Sequence, residues 1–82
     1  SIFGMAVLKN LPTNIIQKMI DKGADVNTTE KKAKYSVLHT AVAMGNFQTV
    51  QLFCSKNAQV DILTAKGYSP LHLAVMLKYP DI

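Results

Sequence analysis

The feature that most constrains this chain is an internal repeat. Tyr35-Ser36-Val37-Leu38-His39-Thr40-Ala41-Val42 returns 33 residues later as Tyr68-Ser69-Pro70-Leu71-His72-Leu73-Ala74-Val75. A second pair, Gly23-Ala24-Asp25-Val26-Asn27 and Asn57-Ala58-Gln59-Val60-Asp61, returns at 34 residues, which places a one-residue insertion between Asn27 and Tyr35. Self-similarity at a fixed period of about 20–50 residues marks a stack of supersecondary units, none of which can bury its apolar face alone. The length makes that dependence acute. A chain of 82 residues loses only about 60–65% of its unfolded surface on folding, so its net stability is a few kcal/mol. One cysteine, Cys54, forms no intrachain disulfide, so the repeat stack must supply the stability, and a reducing compartment is expected.

Within the units the apolar spacing predicts helices. Val37, Leu38, Ala41 and Val42 share one face of a short helix, which Gly45-Asn46 breaks, with Asn46 as N-cap of the next. Phe47, Val50, Phe53 and Cys54 then recur at three- and four-residue spacing, as do Ile15, Ile16, Met19 and Ile20 after Pro12 in the preceding unit. Gly23 and Asn57 take the places of left-handed C-caps. Lys66-Gly67 supplies a tight hairpin turn, whereas Ala33-Lys34 has no glycine and predicts a looser tip. Ile2-Phe3-Gly4-Met5, read against the repeat, gives a first helix little support.

On these residues the chain resembles the ankyrin-repeat family. Ser69-Pro70-Leu71-His72-Leu73-Ala74 differs from the family's Thr-Pro-Leu-His-x-Ala only by serine for threonine, and Gly23-Ala24-Asp25-Val26-Asn27 matches its closing segment without change. In the middle unit Val37 replaces the proline and Thr40 an apolar residue. The resemblance covers about two and a half repeats and implies an all-α repeat solenoid, with stacked helix-turn-helix units joined by β-hairpin-like loops. Residues 1–29 are a divergent or N-terminally incomplete repeat, 30–63 a complete one and 64–82 a truncated one. Pro80-Asp81-Ile82 falls where a further helix should start, so the natural chain is expected to continue past Ile82, and these residues alone to be marginal or self-associating. The resemblance also gives His39 and His72 a structural part, tying Ser36 and Ser69 at the hairpin bases, beside the motif positions Pro70 and Gly23.

No constellation for catalysis stands out. Two histidines and Cys54 are too few and wrongly spaced for zinc, and Cys54 is expected on an apolar helix face as a small, inert hydrophobe. The glycines do not cluster into a phosphate loop, and the five acidic residues form no close pair. The expectation is a module without enzymatic activity, metal or cofactor. No run of apolar residues reaches the length of a membrane span.

What remains is a surface. Lys31, Lys32 and Lys34 crowd one hairpin tip and Lys66 the next, a basic ridge that either steers an acidic protein partner or only keeps the hairpins soluble. With nine lysines and no arginine, base-specific nucleic-acid readout is disfavoured. The resemblance adds a concave face at the ends of the first helices. The expected partner-binding residues are therefore Lys32, Lys34, Tyr35, Met44, Lys66, Tyr68 and Met76, working in the cytoplasm or nucleus. Two further readings stay open: a structural segment of a larger multidomain or channel protein, or the targeting part of an enzyme or pathogen effector whose chemistry lies elsewhere.

Overall fold

The computed structural model describes residues 1–78 and shows five helices among them. They are α1 (Ile2–Leu8), α2 (Thr13–Asp21), α3 (Val37–Ala43), α4 (Phe47–Ser55) and α5 (Pro70–Met76). α1 packs on α2 and α3 on α4, while α3 contacts both α1 and α5. This is the stacked repeat solenoid that the sequence pattern implies. The further helix expected at Pro80-Asp81-Ile82 lies outside the described residues.

Serine starts every first helix. The hydroxyls of Ser1, Ser36 and Ser69 accept the backbone N–H of Gly4 (3.0 Å), His39 (3.1 Å) and His72 (3.1 Å), satisfying a donor that the helix itself leaves orphaned. This corrects the expectation that the first helix lacks support. The repeated motif begins at Ser1, so that Ile2, Phe3 and Gly4 align with Val37, Leu38 and His39. Phe3, Ala6 and Val7 then give α1 a buried face. Left-handed residues recur in the same register. Asn10, Gly45 and Lys78 close the first helices at φ of 58°, 67° and 63°. Gly23 and Asn57 close the second, and Lys34 and Gly67 turn the hairpin tips. The expected loose tip at Ala33-Lys34 thus adopts the same hand as its glycine counterpart.

The core runs through the stack. Phe53 is fully buried among Phe3, Ile16, Leu38 and Ala41, its ring meeting Phe3 edge-on at 5.9 Å. Val42 continues the core to Leu73 and Ala74 of α5. Side chains also tie unit to unit: Thr13 to Thr49 (3.1 Å), Asn46 Nδ2 to Asn10 Oδ1 (2.9 Å), and the Gln59 N–H to Asn27 Oδ1 (2.8 Å). Three side chains expected in this core are not in it: Cys54, Phe47 and Ile15 are exposed. In α4 the buried line runs from Thr49 to Phe53, four residues apart and so on one face. Cys54 points about 100° away from its neighbour Phe53 and falls outside it.

Candidate partner-binding face

His39 is fully buried with both ring nitrogens engaged. Its Nδ1 accepts the backbone N–H of Ser36 (3.1 Å) and lies 2.8 Å from the Ser36 hydroxyl. A backbone N–H only donates, so Nδ1 carries no proton and Nε2 does. That Nε2–H donates to the Tyr68 carbonyl oxygen at 2.7 Å, joining α3 to the base of the next hairpin. His39 therefore closes its own helix cap and locks two units together. His72 does less: its N–H caps on Ser69, but the side chain is exposed, and no hydrogen bond to its ring nitrogens occurs among the described residues. The expected Ser69–His72 tie is limited to that cap, because the imidazole in α3 is held by the following hairpin.

Burial pushes the His39 imidazole below its ordinary 6.5, and the Tyr68 carbonyl opposes this only in part. With the folded value depressed, the unfolded chain takes up the proton first. Stability is complete above the unfolded value and falls as pH drops from there toward the folded one. The unfolding midpoint should thus decline from pH 7 toward pH 5 in urea titrations, by at most about 1.4 kcal/mol per pH unit for one group. A flat profile over that window would contradict the burial of His39.

The hairpin tips hold the lysines on a frame. An antiparallel bridge pairs Thr29 with Ser36, and the Ala65 N–H donates to the Ala33 carbonyl at 2.8 Å, so the two tips touch. Lys31, Lys32, Lys34 and Lys66 are exposed there. Glu30, the one acidic residue among them, is turned to the backbone. Its carboxylate accepts the N–H of Lys32 at 3.0 Å and, at a longer 3.4 Å, that of Tyr35. The Lys32 N–H holds its pKa below the ordinary 4.5 against the opposing effect of desolvation, with the Tyr35 N–H adding to the lowering. Glu30 stays exposed like the lysines, but its carboxylate is engaged by the backbone of its own tip, an arrangement the sequence alone does not reveal.

The expected binding residues do not form one cluster. Tyr35 and Tyr68 are half-buried, with rings against His39 (5.5 Å) and His72 (4.8 Å) at the hairpin bases. Met44 and Met76 are exposed at the opposite ends of α3 and α5, about 10 Å of helix away. Pro70 and Gly23 serve the fold, as N1 of α5 and at the turn after α2. A groove of about 410 Å³ lies between α1 and the first hairpin, bordered by Gly4, Met5, Leu8, Lys32, Tyr35 and Val37. Aligning Ser1 with Ser36 would have exposed it, since glycine stands at Gly4 where the later units carry histidine. Among the described residues no group of three His, Cys, Asp or Glu side chains could hold a metal ion, and no helix is long and apolar enough to cross a membrane.

Comparison with known proteins agrees with this geometry. A family model described as ankyrin repeats in three copies matches residues 3–82. Human ankyrin repeat domain-containing protein 40 is 33% identical over 58 residues, covering 71% of this chain and 16% of that protein. Mouse ankyrin repeat and protein kinase domain-containing protein 1 is 33% identical over 67 residues, 82% of this chain and 9% of its own length. The rice potassium channel AKT1 is 27% identical over 81 residues, 99% of this chain and 9% of the channel. The chain thus spans no more than 16% of any of these relatives.

Proposed function

The chain belongs to the ankyrin-repeat family, whose repeats are protein-interaction modules, and from that premise we propose that it binds an acidic protein partner through its hairpin tips and concave face. One observation carries the reading. The tips are hydrogen-bonded to each other while Glu30 is engaged by backbone, so Lys32, Lys34 and Lys66 form an outward basic edge on a preorganised frame. Preorganisation keeps ordering costs out of the binding free energy, and the charge speeds encounter with an acidic surface. Tyr35 and Tyr68 support the edge from behind, and Met44 and Met76 extend the contact along the first helices. The exposed Leu71 and Val75, which stand in α5 where Leu38 and Val42 are buried in α3, support self-association of these residues when isolated.

A second reading is favoured by the relatives, which include proteins named for a kinase domain and a potassium channel. In it the chain is the interaction segment of a larger protein, and any chemistry lies outside these residues. The unpaired Cys54 fits a reducing compartment such as the cytoplasm or nucleus.

Charge reversal tests the basic edge. The association rate with a partner captured on the immobilised chain should fall as salt rises, and Lys32→Glu, Lys34→Glu and Lys66→Glu together should lower it by about tenfold or more at low salt. Helicity by circular dichroism should not change, because all three side chains are exposed. An unchanged rate in the triple variant would contradict the assignment.

A further inference from the structure

We propose that the groove beside Gly4 is a pocket for an indole side chain carried by an acidic segment of the partner; this rests on reading the chain as a protein-binding module. The repeat supplies the reasoning. Serine caps fix Gly4, His39 and His72 as the same position of three helices. In α3 that position projects an imidazole whose Nε2–H reaches the next hairpin base, so the Tyr68 carbonyl takes two donors: the Thr64 N–H at 2.9 Å and His39 at 2.7 Å. In α1 the same position has no side chain. The Tyr35 carbonyl takes the Glu30 N–H at 2.9 Å and, among the described residues, no second donor. The groove is the imprint of the histidine that Gly4 lacks: room for a flat ring, with a carbonyl oxygen able to accept a ring N–H.

Its size and walls select the ring. About 410 Å³ is more than an imidazole occupies, and Met5, Leu8 and Val37 make the lining largely apolar. Indole offers one N–H donor, no acceptor to clash with the carbonyl, and a large apolar surface. Lys32 and Glu30 both border the groove, and Lys31 and Lys34 are exposed on the same tip; three cations against one carboxylate, itself accepting the Lys32 N–H, leave the tip net positive, so acidic residues flanking the ring meet positive charge.

The chain contains no tryptophan, so emission from a probe is read without background. The probe is a short peptide of Glu, Ser and Gly with one central tryptophan, titrated against the 82-residue chain. Its emission should shift to the blue and saturate, and the analogue with phenylalanine should compete about three- to tenfold more weakly, the worth of one hydrogen bond. Gly4→His should abolish the shift, since its imidazole takes the place of the bound ring and restores a donor to Tyr35, its Cβ lying 3.2 Å from the capping Ser1 Oγ. Met5→Glu, at an exposed position, should also weaken binding, and it keeps the test decisive if Gly4→His folds poorly. No blue shift at saturating peptide, or equal saturation in both variants, would overturn the pocket. A protein partner that still depends on the tip lysines would then leave the interaction module standing. Conversely, a blue shift that persists when the lysine variants bind that partner normally would keep the pocket and remove the basic edge.

Discussion

Phe53→Ala is expected to cost about 3–5 kcal/mol and to leave the chain largely unfolded at 25 °C. Phe53 is fully buried where both helix pairs meet, against Phe3, Ile16 and Leu38. Alanine there loses the apolar transfer energy of a ring and opens a cavity lined by two units, which the short helices can close only by separating. The edge-on contact with Phe3 adds about 0.5–1.5 kcal/mol beyond burial. With only a few kcal/mol of net stability in a chain of this length, one substitution removes most of the margin. Urea unfolding followed by circular dichroism measures it, and a loss below about 1 kcal/mol would show that the stack is not held at Phe53.

His39→Ala is the second large effect, expected at about 2–4 kcal/mol, and its value lies in the contrast with His72→Ala. Removing the His39 ring leaves the buried Ser36 N–H without its acceptor and takes one donor from the Tyr68 carbonyl. An unsatisfied buried backbone group costs about 1–3 kcal/mol, and the lost ring volume adds to that. The damage should concentrate at the α3–α5 junction, with faster hydrogen exchange along α5 than along α2. His72→Ala removes the same side chain from the same place in the repeat, yet the ring is exposed, and it should cost less than about 1 kcal/mol. Equal costs for the two histidines would mean that the motif acts within its own unit and not across the junction.

Legibility in the sequence followed from repetition. What recurs at the caps and turns, Ser36 against Ser69 and Gly23 against Asn57, is legible in the sequence because equivalent places carry one local geometry; the recurrence of His39 and His72 misleads, since only His39 is buried with both ring nitrogens bonded. The first unit resisted because its motif starts at Ser1 and keeps the cap serine and the Ala6-Val7 pair but neither the leucine nor the histidine. Its register became clear from the hydrogen bond to Gly4. Exposure of Cys54 and Phe47 was misjudged because a three-and-four spacing tolerates two neighbouring stripes on a helix, and only the packed partner selects between them. The backbone bonds of the Glu30 carboxylate were illegible for another reason: they form within a tip that turns through a left-handed Lys34, without the glycine that usually signals such a turn.

The same logic separates scaffold from surface. Repeated residues in contact with the next unit, His39 and Leu38 among them, are buried by stacking, so their recurrence reports architecture. Residues that break the repeat, Gly4 above all, are where this chain differs from a uniform stack and where a partner can be recognised individually. The lysines stand between these cases: the tips recur, but the crowding of Lys31, Lys32 and Lys34 on one of them does not.

The account turns on one bond, the Nε2–H of His39 to the Tyr68 carbonyl, which joins the second unit to the third. Nitrogen-15 NMR of the imidazoles at neutral pH reads it directly. The prediction is an Nε2–H tautomer for His39, with that proton slow to exchange and a scalar coupling from Nε2 to the Tyr68 carbonyl carbon. An Nδ1–H tautomer, or a ring proton exchanging with water as fast as in an unfolded chain, would contradict it.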